Sequence, residues 1–125
     1  MNSPRVYIVQ DQKQLTGDGQ LVAKFDFTPA ERYGELFFLL KSGSSPFNLP
    51  PVIDELHKHL QNYRPNYDYL LLTGNPVLIG LTVAIAANYA DGKVLMLQWS
   101  GSRQAYLPVT AALWSEEAPD MADHV

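Results

Sequence analysis

The chain has 125 residues, 46% of them hydrophobic and 11% aromatic, with no cysteine and a formal net charge of −4. This describes one globular domain with an ordinary core, and it excludes a disordered chain, disulfides, thiolate catalysis and cysteine-ligated zinc. Glu116, Glu117, Asp120 and Asp123 carry the excess charge, and the nine acidic and nine basic residues before them balance, a poor match for a nucleic-acid backbone.

Met1 to Arg5 lacks the basic start and apolar core of a signal peptide, which predicts a cytoplasmic protein. Val6-Tyr7-Ile8-Val9 predicts a first strand within Arg5 to Gln10, and polar Asp11 to Gln20 predicts a loop or hairpin connection. From Leu21 to Phe27 the residues alternate, with Leu21, Ala23, Phe25 and Phe27 on one face. That period of two predicts a half-exposed edge strand ended by Pro29. Thr28-Pro29-Ala30-Glu31 fits a capping box opening a short helical turn that Gly34 closes. Leu36 to Leu40 predicts an interior strand, and Lys41 to Pro50, rich in serine, a flexible loop. Pro51 to Tyr63 predicts an amphipathic helix with Val52, Ile53, Leu56, Leu60 and Tyr63 on its apolar face.

The most informative stretch follows. The apolar run Tyr69 to Leu72 stops at Thr73-Gly74-Asn75-Pro76, and Val77 to Tyr89 then passes without a charged residue before Asp91-Gly92 and Val94 to Leu97. Asn75 suits an N-cap and Pro76 a first helical position, so the pattern predicts a parallel βαβ unit. The turn residues near the start of this apolar stretch argue against a membrane span. Ser100-Gly101-Ser102 predicts the turn of a closing hairpin between Val94–Trp99 and Gln104–Thr110.

Two right-handed crossovers, from Leu36–Leu40 to Tyr69–Leu72 and on to Val94–Trp99, predict a three-stranded parallel centre extended elsewhere by the N-terminal strands. The fold class is therefore α/β: a mixed, Rossmann-like sheet with a parallel centre, two full helices and a C-terminal β-hairpin. Residues 1–115 form the domain, Trp114 is its last anchor, and residues 116–125 are an acidic, disordered tail.

Thr73, Gly74 and Asn75 form the first candidate site, at the carboxyl end of a central strand and the start of a helix, where nucleotides and phosphates bind in open α/β sheets. The turn lacks the several glycines and the following Lys of a phosphate-cradling loop. His57 and His59 lie about 200° apart on a helix and do not converge on one metal. No nucleophile, base and carboxylate fall at supporting spacings, so no catalytic residue, metal or cofactor is expected. The helix Val77 to Tyr89 carries a partner-binding candidate: Val77, Leu81, Ile85 and Tyr89 recur about one turn apart beside the small residues Gly80, Ala84 and Ala87. With little of the same chain available to cover it, burial in a homodimer is the expected remedy. Trp99, Arg103 and Tyr106 around the closing hairpin form a third candidate, able to anchor a partner.

Asp68 to Pro76 with Ile79-Gly80, Gly92-Lys93 and Leu97-Gln98-Trp99 resembles a family of short α/β proteins of bacteriophages and prophages. Phe25 to Ala30, Tyr33 to Leu36 and Tyr106 to Val109 fit the same resemblance. It implies a genomic setting and no particular activity. The expected function is a non-enzymatic binding or interaction protein, a phage accessory factor acting as a homodimer on a host or phage partner in the host cytoplasm. The alternative is a small-ligand protein with a nucleotide or phosphate at Thr73 to Asn75.

Overall fold

A computed structural model describes residues 3–114, so the acidic tail expected at 116–125 lies outside the described residues. The strands are β1 (Arg5–Gln10), β2 (Lys13–Leu15), β3 (Leu21–Ala23), β4 (Glu35–Leu40), β5 (Tyr69–Leu71), β6 (Lys93–Ser100) and β7 (Ala105–Ala112). Two α-helices, α1 (Leu49–Leu60) and α2 (Pro76–Tyr89), and a 3-10 helix over Thr28–Tyr33 complete the fold. The mixed α/β architecture expected from the sequence is present.

The central sheet has the order β4-β1-β5-β6-β7, parallel throughout except for the antiparallel β6–β7 hairpin. Here the topology departs from expectation. β4 and β5 are not neighbours: β1 lies between them, paired to both, so four strands are parallel rather than three. β1 can take this place because Val6, Tyr7, Ile8 and Val9 are each at most 1% exposed, apolar on both faces. The strand expected inside at Leu36 to Leu40 is instead an edge, with Phe38 exposed.

Each face of the sheet has its own cover. α1 and α2 lie on one side, where Val52, Leu56, Leu60, Leu78 and Ala86 pack with Tyr7, Val9 and Leu70. On the other, Phe27 and Ala30 pack against Val6, Ile8, Leu71 and Leu97. The crossover from β1 to β4 thus runs over one face, and those through α1 and α2 over the other.

The segment from Leu21 to Phe27 also departs from expectation. Only Leu21–Ala23 is strand; it pairs with β2 in a separate exposed hairpin, while Phe27 turns into the core. Alternation misleads because its last residue serves a different layer from its first. The capping box is absent as well: the 3-10 helix has no side-chain cap at Phe27. Asp26 does related work, its Oδ1 accepting from the Thr28 N–H at 3.0 Å and the Thr28 hydroxyl at 2.6 Å. α1 starts at Leu49, before the expected Pro51, since prolines fit a first helical turn whose N–H groups have no internal partner.

At α2 the local chemistry is as expected. Asn75 caps the helix, its Oδ1 accepting from the Val77 N–H at 2.9 Å, with Pro76 at the first position. Asp91 and Gly92 close the helix with φ of 55° and 81°. Trp114 lies over Gly92 and remains half exposed, so its anchoring is partial.

Candidate functional site

The carboxyl ends of β1, β4 and β5 meet where their connections diverge to opposite faces, the place where open α/β sheets form a ligand crevice. Gln10, the last residue of β1, organises it. Its side-chain amide donates to the carbonyls of Lys41, Ser42 and Ser44 at 3.3, 3.4 and 3.3 Å, and its Oε1 accepts from the Asn75 N–H at 2.9 Å. One residue, only 6% exposed, thus ties the β4–α1 loop to the β5–α2 turn. Gly74 makes the approach possible: its φ is +116°, and a Cβ there would lie 2.6 Å from the Gln10 Cβ.

The Thr73-Gly74-Asn75 turn is consequently occupied by the protein's own groups. The Asn75 N–H goes to Gln10, the Val77 N–H to Asn75, and Pro76 has none. Thr73 donates its hydroxyl to Gln12 Oε1 at 2.7 Å. The helix start therefore offers an anion fewer backbone donors than its position suggests.

Two cavities flank this turn. One is an open cleft of about 460 Å³, lined by Gln10, Gln12, Ser42, Gly74 and Asn75 with Lys13 and Lys24 as its charged residues. The other, about 330 Å³, lies on the face away from the helices; Phe25, Phe27, Trp99 and Tyr106 give it aromatic walls, and Asp26, Thr73 and Gln98 line it with polar groups. Two pairs of chain neighbours straddle the cavities, since Lys24 and Gly74 face the cleft while Phe25 and Thr73 face the aromatic pocket.

Within the pocket Trp99 and Tyr106 meet edge to face, ring centroids 4.9 Å apart, and Phe25 and Phe27 lie 6.2 Å apart. Trp99 and Phe25 are 41% and 45% exposed, so both offer ring surface to an incoming group. The two hydrogen bonds from Thr28, the hydroxyl's first, hold the Asp26 carboxyl below its ordinary range. Burial raises the Tyr106 hydroxyl, with a further contribution from the Asp26 charge.

The structure thus brings together candidates that lie far apart in sequence: Thr73 from the turn, and Trp99 and Tyr106 from the hairpin, line one pocket. Arg103 is exposed in the hairpin turn, its N–H donating to Ser100 Oγ at 3.3 Å, and it is not a wall of that pocket. The sequence does not assign Phe25, Asp26 and Gln98 to a binding site, because their meeting depends on how the Leu21 to Phe27 segment folds.

On the opposite face, α2 presents Val77 and Tyr89 at 48% and 42% exposure, with Leu81 and Ile85 half-buried. Of the small residues, Gly80 and Ala84 face outward and Ala87 is buried. Tyr89 also binds within the chain, its hydroxyl 2.7 Å from His57 Nδ1 on α1. His59 instead bonds Glu55 at 2.7 Å, so the two histidines point to different partners. Among the described residues no three His, Asp or Glu side chains are grouped to hold a metal, and no helix is long and apolar enough to cross a membrane.

A model of the phage Pam3 gp32-like protein family matches residues 4–113. The chain belongs to this family. The match spans both cavities and the whole of α2, so these features lie within the family's domain and not in an appended segment. No curated protein and no solved structure matches the chain.

Proposed function

We propose that this phage-family protein is a non-enzymatic interaction protein that works as a homodimer in the host cytoplasm, its copies joined through α2, and that it acts on a host or phage partner. The supporting observation is the outward face of α2. Residues 76–89 contain no charged side chain, Val77 and Tyr89 are close to half exposed, and a Cβ at Gly80 would meet nothing within 4 Å beyond its own helix backbone. A helix facing only water ordinarily carries charged residues on that side. Gly80 and Ala84 would let a second helix approach closely, since interaxial distance follows the size of the residues at the contact.

Light scattering across a concentration series tests this. The expected mass is twice the 14.0 kDa of one chain. Ala84→Glu places a charge on the exposed stripe without entering the core, and it should give a folded monomer by circular dichroism. A wild-type monomer throughout the series would overturn the dimer.

A second reading, a small-ligand protein with its site around the β5–α2 turn, is supported by the two cavities that flank Thr73 to Asn75. Ligand binding to the folded state alone raises its melting temperature by mass action. A screen of nucleotides, cyclic oligonucleotides and simple phosphates should therefore contain a compound that shifts it. A flat screen would count against this reading while leaving the dimer untouched.

A further inference from the structure

We propose that the two cavities form one bipartite site for a nucleoside 5′-phosphate, the base in the aromatic pocket and the phosphate in the lysine cleft. The proposal rests on the small-ligand reading and names the ligand's class and orientation.

The argument begins with contiguity. The cavities have no lining residue in common, but they lie on either side of two chain segments, Lys24-Phe25 and Thr73-Gly74, each contributing one residue to either side, and these segments are the border between them. A ligand crossing that border meets two different chemistries. On one side are aromatic walls with exposed ring surface at Trp99 and Phe25. Flat heterocycles stack on such rings whatever their identity, because every base has a π face. Asp26 accepts hydrogen bonds, and Gln98 both donates and accepts; these are the groups that read the amino, carbonyl and ring-nitrogen edges of a base. The pocket, about 330 Å³, is near the lower end of ligand-site volumes, which suits a single heterocycle.

Across the border the charge reverses. Lys13 and Lys24 are the charged residues of the cleft, and Asp26 that of the pocket. Lys13 lies 3.3 Å from Asp11, and the Lys24 ammonium stands 5.4 Å from the centre of the Phe25 ring. The Phe25 contact keeps a cation at the very border, where a 5′-phosphate would emerge from a base held in the pocket. The helix start has little to offer an anion, because the N–H groups of Asn75 and Val77 are already engaged and Pro76 has none. The lysines supply the anion site.

Isothermal titration of the full chain with the four common nucleoside 5′-monophosphates, their nucleosides and inorganic phosphate tests the proposal. At least one monophosphate should bind more tightly than its nucleoside, by about tenfold or more at low salt, and the difference should shrink as salt rises. Trp99→Ala should weaken the nucleotide and its nucleoside together, by about tenfold. Lys24→Gln should weaken the nucleotide while sparing the nucleoside. Both residues are exposed, and circular dichroism checks that the variants fold. A nucleoside that binds as tightly as its monophosphate, or a Lys24→Gln variant that retains the difference, overturns the bipartite site and leaves a small-ligand pocket standing. Inorganic phosphate binding as tightly as any nucleotide overturns the role of the aromatic pocket. No heat with any probe, together with a flat thermal screen, overturns both readings.

Discussion

Gln10 shows how one side chain fixes the geometry of a site. A buried amide can satisfy several partners at once, and here it replaces water for three loop carbonyls and one helix-start N–H. Gln10→Ala should cost about 2 kcal/mol, the scale of leaving buried polar groups unpaired. Gly74→Ala should cost a similar amount, since it forces an L-residue to a φ of +116° and pushes against the Gln10 side chain. Because the added methyl already displaces the amide, the two losses overlap. The double variant should therefore be about 1 kcal/mol more stable than the sum of the single effects predicts. Urea unfolding of the four proteins checks this; strictly additive costs would mean that the amide does not clamp the turn. Gln10 itself gave no signal in the sequence. A glutamine at the end of an apolar strand looks like ordinary strand termination until the fold sets Gly74 against it.

Elements were legible where local chemistry decides them. α2 and its flanking strands could be delimited because Asn75-Pro76 starts a helix by capping and fixed φ, and Asp91-Gly92 ends it with positive φ. The Leu21 to Phe27 segment departs from its expected strand because a period of two carries no information about which residues find a core. Tyr63 gives the connection after α1 a measurable property. Its hydroxyl accepts from the Leu95 N–H at 2.8 Å, pinning that connection to β6. Burial pushes its pKa from 10.0 up to about 12. The folded chain thus keeps a proton that the unfolded chain releases between these values. Stability from this group is complete below pH 10 and declines towards pH 12, by about 2 kcal/mol. Tyr106, also raised by burial, adds to the same decline. Tyr63→Phe should lower stability at neutral pH by about 1 kcal/mol through the unpaired Leu95 N–H. It should also make the alkaline decline shallower. Urea midpoints for both proteins across the alkaline range test this, and parallel curves would assign the decline to other groups.

At the scale of the molecule, the sheet order was the part the sequence did not reveal. Val6 to Val9 and Leu36 to Leu40 read as equivalent apolar strands, yet one lies at the centre and the other at an edge. Both arrangements obey the rule of right-handed crossovers, so the choice falls to long-range packing. Phe27 and Ala30 cover β1 on one face and the two helices cover it on the other, which only a central strand can exploit. This arrangement makes β1 the strand on which both core layers depend: it pairs with β4 and β5, and its four apolar residues are at most 1% exposed. Opening it requires breaking both clusters, so its amides should exchange only through global unfolding. The β2–β3 hairpin should exchange many orders of magnitude faster, because every residue of both strands is exposed and its sheet is separate. Between these limits, β7 pairs with β6 alone, and exposed Pro108, Val109 and Thr110 lie along it. Its amides should open in local events of lower free energy than those of β1. Native-state hydrogen exchange in a denaturant series distinguishes the classes: the β1 amides should follow the global unfolding free energy and slope, while the β7 amides should converge on it only at higher denaturant. If β6 and β7 were protected longest and β1 opened below the global limit, the hairpin would be the stable unit and β1 a later addition to it.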